Sequence, residues 1–177
     1  MKNDRTPRKP PPPLDEPRLR SLALHYVGKY ATTRAKLATY LNRKILERGW
    51  SNDRPANIDA LVSQFADLGY VNDAQFAEAR SRSFVARGYG RRRLDEDLRA
   101  SGITGSDATD AAEYMNESSF VAAQNYARRK RIGPYAAEAA PPEKQHKQLQ
   151  GFLRAGHGFE VAKRFVRAEP GTTLEED

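Results

Sequence analysis

The sequence predicts an all-helical protein built from three tandem modules of about three helices each. Apolar residues recur at helical spacing, i, i+3, i+4 and i+7, along most of the chain. Strand signals are almost absent, with no Asn-Gly hairpin and no sustained period-two alternation. The mean hydropathy is −0.81 and hydrophobic residues make up 38% of the chain, so the core must be thin. A thin core favours an elongated helical array over one compact globule.

Each expected helix of the first module has a cap signal or a terminal glycine. Thr32 or Thr33 can cap the second helix and Asn57 the third. Gly49 and Gly69 mark the ends of these two helices. The three apolar faces consist of Leu19, Leu22, Ala23 and Tyr26; Leu37, Leu41 and Ile45; and Ile58, Leu61, Val62 and Phe65.

The second module repeats this arrangement. Gly88 is expected to end its first helix in a left-handed conformation, and Gly90 to let the next helix begin. Gly102 ends that helix, and Thr104 with Asp107 resembles a capping box for the third. The apolar faces are formed by Phe76, Ala77, Ala79 and Phe84; by Leu94 and Leu98, which share one stripe with Arg91; and by Ala108, Ala111 and Ala112.

The third module is less regular. Ser118 or Ser119 can cap its first helix, Gly133-Pro134 breaks that helix, and the Ala/Pro-rich stretch 136–142 is expected to be a loop. The apolar faces are Phe120, Ala123 and Ala127; Leu149, Phe152 and Leu153; and Phe159, Ala162 and Val166. Equivalent positions recur at similar intervals, since Gly49 and Gly102 are 53 residues apart and Leu98 and Leu153 are 55 apart.

These patterns predict five segments. Residues 1–17 form a disordered basic, proline-rich arm, because four consecutive prolines at 10–13 cannot join a helix. The helical modules are placed at 18–69, 70–115 and 116–168, and 169–177 is an acidic, flexible tail.

Charge and composition indicate the class of partner. The net charge is +7, but residues 169–177 carry four acids and no base, so the rest of the chain carries +11. This balance favours nucleic acid or another polyanion, with a merely solubilising surface as the alternative. The absence of cysteine excludes disulfides and thiolate metal sites. No apolar run is long enough to cross a bilayer and no signal core is evident, so a cytoplasmic protein is expected.

Residues that could carry catalysis are sparse. His25, His146 and His157 are far apart and lack metal-ligand spacing. The glycines at 88 and 90 are followed by arginines, not by the Lys-Ser/Thr of a nucleotide-binding loop. The acids at 95–97 are expected to pair with arginines one helical turn away. We therefore expect no enzyme activity, no metal and no cofactor.

Two clusters of basic residues are the candidate site. One lies between Arg80 and Arg99, and the other is the run 128–131, which has no acid within four positions on either side. Arginine predominates in both, and its planar fork grips carboxylates and phosphates with two hydrogen bonds. The alternative is solubilisation of the helices by intrahelical pairs. The candidate contact residues are the basic residues that we expect to be exposed: Arg82, Arg87, Arg91, Arg92, Arg128, Arg129 and Arg131.

The segment 68–103 resembles the central signature of the RecX family. The matching features are Gly69-Tyr70, Asn72-Asp73, Phe76-Ala77, Arg87-Gly88, Gly90, Arg93-Leu94, Leu98 and Gly102-Ile103. The flanking helices and the terminal stretch 153–166 are also similar to that family, so the resemblance covers residues 19–167. His157 is a departure, because the resemblance leads us to expect a basic residue just before Gly-Phe.

The resemblance implies a curved array of three three-helix modules that binds in the groove of the RecA–single-stranded-DNA filament. Such a protein is a negative regulator in DNA recombination, repair and the SOS response, and it inhibits the filament's ATPase, strand-exchange and coprotease activities. The implied partners are the RecA filament and, through the basic patches, single- or double-stranded DNA. We expect a monomer that does not bind membranes. The alternative is a basic helical DNA-binding protein that acts without RecA.

Overall fold

The structure, a computed structural model, describes residues 11–176, and the regular elements in that range are helices. Its nine α-helices are α1 (Glu16–Lys29), α2 (Arg34–Arg48), α3 (Ile58–Asp67), α4 (Asp73–Arg87), α5 (Arg91–Ala100), α6 (Thr109–Glu117), α7 (Ser119–Lys130), α8 (Pro142–Arg154) and α9 (Phe159–Arg167). Two 3₁₀ turns cover Gly105–Ala108 and Gly133–Tyr135. Strand pairing within 11–176 is limited to one isolated bridge between Leu14 and Trp50. The all-α prediction is confirmed.

The chain divides into two compact units, Met1–Asn72 and Asp73–Asp177. The first unit contains α1–α3 around one apolar cluster, with Leu37, Leu41 and Phe65 at its centre. The predicted caps are present, because the hydroxyl of Thr33 accepts from the amide of Lys36 and the side chain of Asn57 accepts from the amide of Ala60. Three helices close one core here, as the periodicity predicts.

The disordered arm predicted for residues 1–17 is wrong for its last residues. Residues 1–10 lie outside the described part of the chain. Leu14 is completely buried, donates to the carbonyl of Gly49 at 2.9 Å and accepts from the amide of Ser51 at 2.9 Å. Helix α1 then begins at Glu16, with the carboxylate of Asp15 capping its third amide. A single leucine among prolines gives no periodic signal, so the sequence pattern could not show that it reaches the core.

The second compact unit contains two apolar clusters. Leu94, Leu98 and Met115 belong to the cluster formed by α4, α5 and α6, and Phe152 and Phe165 belong to that of α7, α8 and α9. The three-helix grouping is thus confirmed, while the exact module boundaries 18–69, 70–115 and 116–168 stay a prediction. In each group of three helices, the second helix is followed by a glycine at positive φ. These glycines are Gly49 (80°), Gly102 (76°) and Gly156 (93°).

Several local predictions in this unit are wrong. Thr104 and Ser118 occupy N-cap positions but form no side-chain cap hydrogen bond. The helix expected after Thr104 begins only at Thr109, because a 3₁₀ turn precedes it. Phe159 is half exposed, and Phe165 takes the buried aromatic position of α9. The helical period is right here, but the packing partner decides which aromatic is buried.

The acidic tail predicted as flexible for residues 169–177 contacts the rest of the second unit at three of its residues. The amide of Gly171 donates to the carbonyl of Pro134 at 3.0 Å, and the guanidinium of Arg164 donates to the carbonyl of Glu175 at 2.7 Å. Leu174 is half buried on the cluster of α7, α8 and α9. Backbone hydrogen bonds and one leucine therefore hold a segment whose composition suggests a solvated tail.

Candidate basic binding surface

The ends of α4 and α7 lie against each other, which brings the two basic clusters of the sequence together. A Cβ on Gly88 would lie 2.5 Å from the amide nitrogen of Tyr126, so only glycine fits between the two helices. The side-chain amide of Asn125 donates to the carbonyl of Val85 at 3.0 Å. Arg87, at the end of α4, and Arg129, near the end of α7, consequently share one surface although 42 residues separate them in the chain.

Tyr89 is the point at which these arginines meet. The guanidinium carbon of Arg87 lies 5.1 Å from the centroid of the Tyr89 ring, and that of Arg129 lies 5.4 Å from it. Arg129 also lies 5.6 Å from the ring of Tyr126. Contacts of this kind contribute about 0.5–1 kcal/mol each at exposed sites. They hold two positive charges near one another without neutralising either one. We call Arg87, Tyr89, Arg128, Arg129 and Arg131 the arginine–tyrosine surface.

The cationic run on α7 keeps its charge unpaired. Within residues 11–176, none of Arg128, Arg129, Lys130 and Arg131 forms an ion pair, and all four are exposed. Arg128 lies over the ring of Tyr135 at 5.2 Å. Arg131 has a left-handed backbone (φ 54°, ψ 56°) and is the one non-glycine residue of positive φ in that range. Such a conformation costs a non-glycine residue about 1–2 kcal/mol.

Three other candidate residues are occupied by intramolecular contacts. Arg91 bonds Asp95 at 2.7 Å and donates to the carbonyl of Ala112 at 2.9 Å. The guanidinium of Arg91 therefore ties α5 to α6, and its role as a contact residue stays a prediction. Arg92 is 69% exposed, lies 3.8 Å from Glu96 and reaches the carbonyl of Leu153 at 3.3 Å. Arg82 faces solvent as predicted and pairs loosely with Glu78, 3.4 Å away.

A shallow cleft of about 320 Å³ adjoins the surface. Arg80 forms one wall by binding Asp97 with two hydrogen bonds of 2.7 and 2.9 Å, and this partner raises the pKa of Arg80. The rest of the lining is formed by Phe84, Arg87, Tyr89, Arg93, Glu96 and Ala100. The guanidinium of Arg80 is engaged by Asp97 and connects α4 to α5, whereas that of Arg87 forms no ion pair within residues 11–176 and lines the cleft.

Two glycines join the second and third helix groups. The amide of Gly90 donates to the carbonyl of Ala155 at 2.9 Å, and the amide of Arg92 donates to that of Gly156 at 3.2 Å. A Cβ on Gly90 would overlap the carbonyl oxygen of Gly156. The backbone of Gly90 has φ −86°, which any residue adopts. Gly90 is therefore required for this close approach, and not for the turn that the sequence suggests.

His157 is a buried residue at the same contact between the second and third helix groups. The ring is 7% exposed, packs beside Tyr126 and Phe152, and its Nε2 lies 3.1 Å from the carbonyl oxygen of Gly88. The neutral ring donates from Nε2 in this contact. Burial lowers the pKa of His157 to about 4, although the carbonyl of Gly88 favours the protonated form. The departure at this position thus replaces an expected surface charge with a neutral core residue.

The described residues contain little that could carry chemistry. Between residues 11 and 176 no three His, Asp or Glu side chains converge as metal ligands. In the same range, no helix is both long and apolar enough to span a bilayer. His25 and His146 are exposed and far apart in the chain. The described residues thus form a helical scaffold with an unpaired cationic surface that lies over tyrosine rings, an arrangement whose charge could accommodate an anionic group.

Comparisons with known proteins give the family. Residues 72–111 match the model of the RecX second three-helix domain. The chain is 30% identical to regulatory protein RecX of Thermobifida fusca over 86% of its own length and 78% of the relative's, and 29% identical to that of Myxococcus xanthus over 96% and 94%. The crystal structure of RecX from Lactobacillus salivarius shares the fold, with a TM-score of 0.61 at 21% identity over 85% and 93% of the two chains. The chain belongs to the RecX family of regulatory proteins.

Proposed function

We propose that this protein is a negative regulator of the RecA recombinase. It binds in the groove of the RecA–single-stranded-DNA filament and lowers the filament's ATPase, strand-exchange and SOS coprotease activities. Membership of the RecX family supports the regulatory role. The observation that carries the binding mode is the arginine–tyrosine surface, in which Arg87 and Arg129 lie over one ring and neither is paired with an acid of residues 11–176.

The arginine–tyrosine surface is suited to a nucleoprotein partner because the tyrosine rings hold its guanidinium groups in position before binding. An arginine held over an aromatic ring loses less side-chain entropy on binding than one that is free in solvent. Its fork can take either a carboxylate or a phosphate with two hydrogen bonds. A filament offers both, acidic side chains on the protein and phosphates on the DNA, so one surface can contact both components.

The test is RecA ATPase activity on single-stranded DNA with increasing amounts of this protein. The wild-type chain should inhibit turnover, and the double variant Arg87→Glu/Arg129→Glu should inhibit it at least about tenfold less well, since reversing close charge pairs costs several kcal/mol at an interface. Arg167→Glu is the matched control, because Arg167 is an exposed arginine of the same compact unit outside the surface. Undiminished inhibition by the folded double variant would remove the surface from the site, and undiminished turnover with the wild-type chain would end the proposal.

The second candidate function is DNA binding without RecA. The charge of +11 before the acidic tail favours it. Retention of DNA should then fall steeply with salt, with a log–log slope near −0.7 per phosphate contact for single strands. The candidate contacts Arg82, Arg92, Arg128 and Arg131 would serve either function. A failure to retain DNA at low salt in the absence of RecA would discard this second function.

A further inference from the structure

Three tyrosines form a continuous row of ring contacts on the first compact unit, which we call the tyrosine stack although only two of the rings are nearly parallel. Tyr26, from α1, stacks on Tyr40, from α2, with ring centroids 4.1 Å apart and planes 13° apart. Tyr30, at the C-terminal end of α1, leans on Tyr26 with centroids 5.3 Å apart at 50°. The packing of α1 on α2 assembles this stack. The basic runs of the sequence contain few aromatic residues, so sequence patterns alone argue against a base-stacking platform.

The segment that supplies the stack is strongly basic. Residues 17–46 contain no acid, and their basic residues are Arg18, Arg20, Lys29, Arg34, Lys36, Arg43 and Lys44. The ammonium of Lys29 lies 5.4 Å from the centre of the Tyr30 ring, and Arg43 and Lys44 each lie 5.8 Å from that of Tyr40. Glu47, on the next turn of α2, pairs with Arg43 and Lys44. The rings of Tyr30 and Tyr40 therefore contact three cations, of which Lys29 forms no ion pair within residues 11–176 and the other two pair with Glu47.

Packing explains part of this arrangement. Tyr26 and Tyr40 are half buried against the apolar cluster of the unit and would be expected there in any case. Tyr30 is 49% exposed, and its ring contacts Tyr26 and the ammonium of Lys29. A large half-exposed ring at the end of a stack, beside a cation, fills no core. It presents an aromatic surface to solvent.

We propose that this tyrosine stack binds single-stranded nucleic acid, with an unpaired base stacking on Tyr30 and the flanking phosphates contacting Lys29 and Arg43. Single strands are the ligands that offer both an aromatic face and a backbone charge at the spacing of neighbouring groups. An acidic peptide would use the cations and leave the rings without a role. A duplex keeps its bases stacked internally. The site lies on a different compact unit from the arginine–tyrosine surface and does not require RecA.

The test is the fluorescence anisotropy of a labelled oligothymidine, and of an abasic strand of equal length, on titration with the full chain without RecA. The wild-type chain should prefer oligothymidine by about tenfold, because one stacked base contributes about 1–3 kcal/mol, and Tyr30→Ala should lose that preference. Tyr30→Phe should bind within about twofold of wild type, since the ring and not the hydroxyl stacks. Tyr114→Ala is the matched control, because Tyr114 is an exposed tyrosine of the other compact unit.

Two results would overturn the base-stacking proposal. Equal wild-type affinity for the two strands means that only the charge of the strand is bound, and it overturns the proposal. So does an unchanged preference in Tyr30→Ala with a wild-type melting curve. Because the assay contains no RecA, the base-stacking site can fail while RecA inhibition stands, and RecA inhibition can fail while base stacking is observed.

Discussion

Replacing Gly90 with alanine tests the joint between the second and third helix groups most sharply. The backbone of Gly90 lies in the extended region (φ −86°, ψ 172°), where alanine fits without strain. Restriction of the unfolded chain by itself favours Gly90→Ala by about 0.4–1 kcal/mol, although alanine is a poorer N-cap residue than glycine. The structure predicts the opposite sign, because the new methyl group would overlap the carbonyl oxygen of Gly156 and lie 2.5 Å from the amide nitrogen of His157.

The expected loss can be worked out from these contacts. The Ala155–Gly156 backbone must withdraw by roughly 1 Å to accept a methyl group, which weakens the hydrogen bonds from Gly90 and Arg92. Each bond contributes about 1 kcal/mol, and overpacking of a rigid backbone contact costs about 1–3 kcal/mol. Subtracting the gain of about 0.4–1 kcal/mol from the restricted unfolded chain, we expect the free energy of unfolding to fall by about 2–4 kcal/mol.

Urea unfolding followed by circular dichroism is the assay, because the single tryptophan, Trp50, lies in the other compact unit. Gly158→Ala is the matched control. Gly158 is also an extended N-cap glycine without a side-chain cap, but a methyl group added to it would meet nothing within 4 Å. This variant should stay within about 0.5 kcal/mol of wild type. If Gly90→Ala is as stable as the control, the close approach of Gly90 to the Gly156 backbone does not contribute to stability as expected.

Two further predictions concern stability. His157 is neutral in the fold and its pKa is lowered to about 4, so the stability that the neutral ring contributes is complete above the ordinary pKa of 6.5 and is lost as the pH falls toward 4. Between pH 7 and pH 5, the free energy of unfolding in urea should therefore fall by about 2 kcal/mol, and His157→Phe should abolish this fall. Equal pH dependence in the two proteins would contradict the buried neutral ring. Arg131→Gly should raise the free energy of unfolding by about 1 kcal/mol, since glycine adopts the left-handed conformation freely, while weakening RecA inhibition. Unchanged stability together with unchanged inhibition would show that Arg131 is neither strained nor a contact.

The helices could be predicted from the sequence because their signals are local. Thr33 and Asn57 cap helices as predicted, and the apolar spacing of Leu94 and Leu98 places both in the core. The helical period predicts that a helix has an apolar face, but it does not predict which residue of that face packs against which residue of another helix. Phe159 and Phe165 both fit the period of α9, and only packing against Phe120 and Phe152 selects Phe165.

The candidate site was harder to predict because it is made of distant contacts. Both basic clusters are evident in the sequence, but the sharing of the Tyr89 ring by Arg87 and Arg129 depends on how α4 packs on α7. Arg91 was expected among the exposed residues, since nothing in the pattern reveals the carbonyl of Ala112 that binds it. The tyrosine stack had a signal in the sequence, the acid-free stretch 17–46, but its rings come from two helices.

Direct binding to RecA filaments tests the central claim most directly. Labelled protein would be titrated with filaments assembled on single-stranded DNA with a non-hydrolysable ATP analogue, beside RecA alone and DNA alone. We predict saturable binding that is tightest to the assembled filament and weakened at least about tenfold by Arg87→Glu/Arg129→Glu. Binding to the filament no tighter than to bare DNA, or no binding at all, would contradict the proposed role.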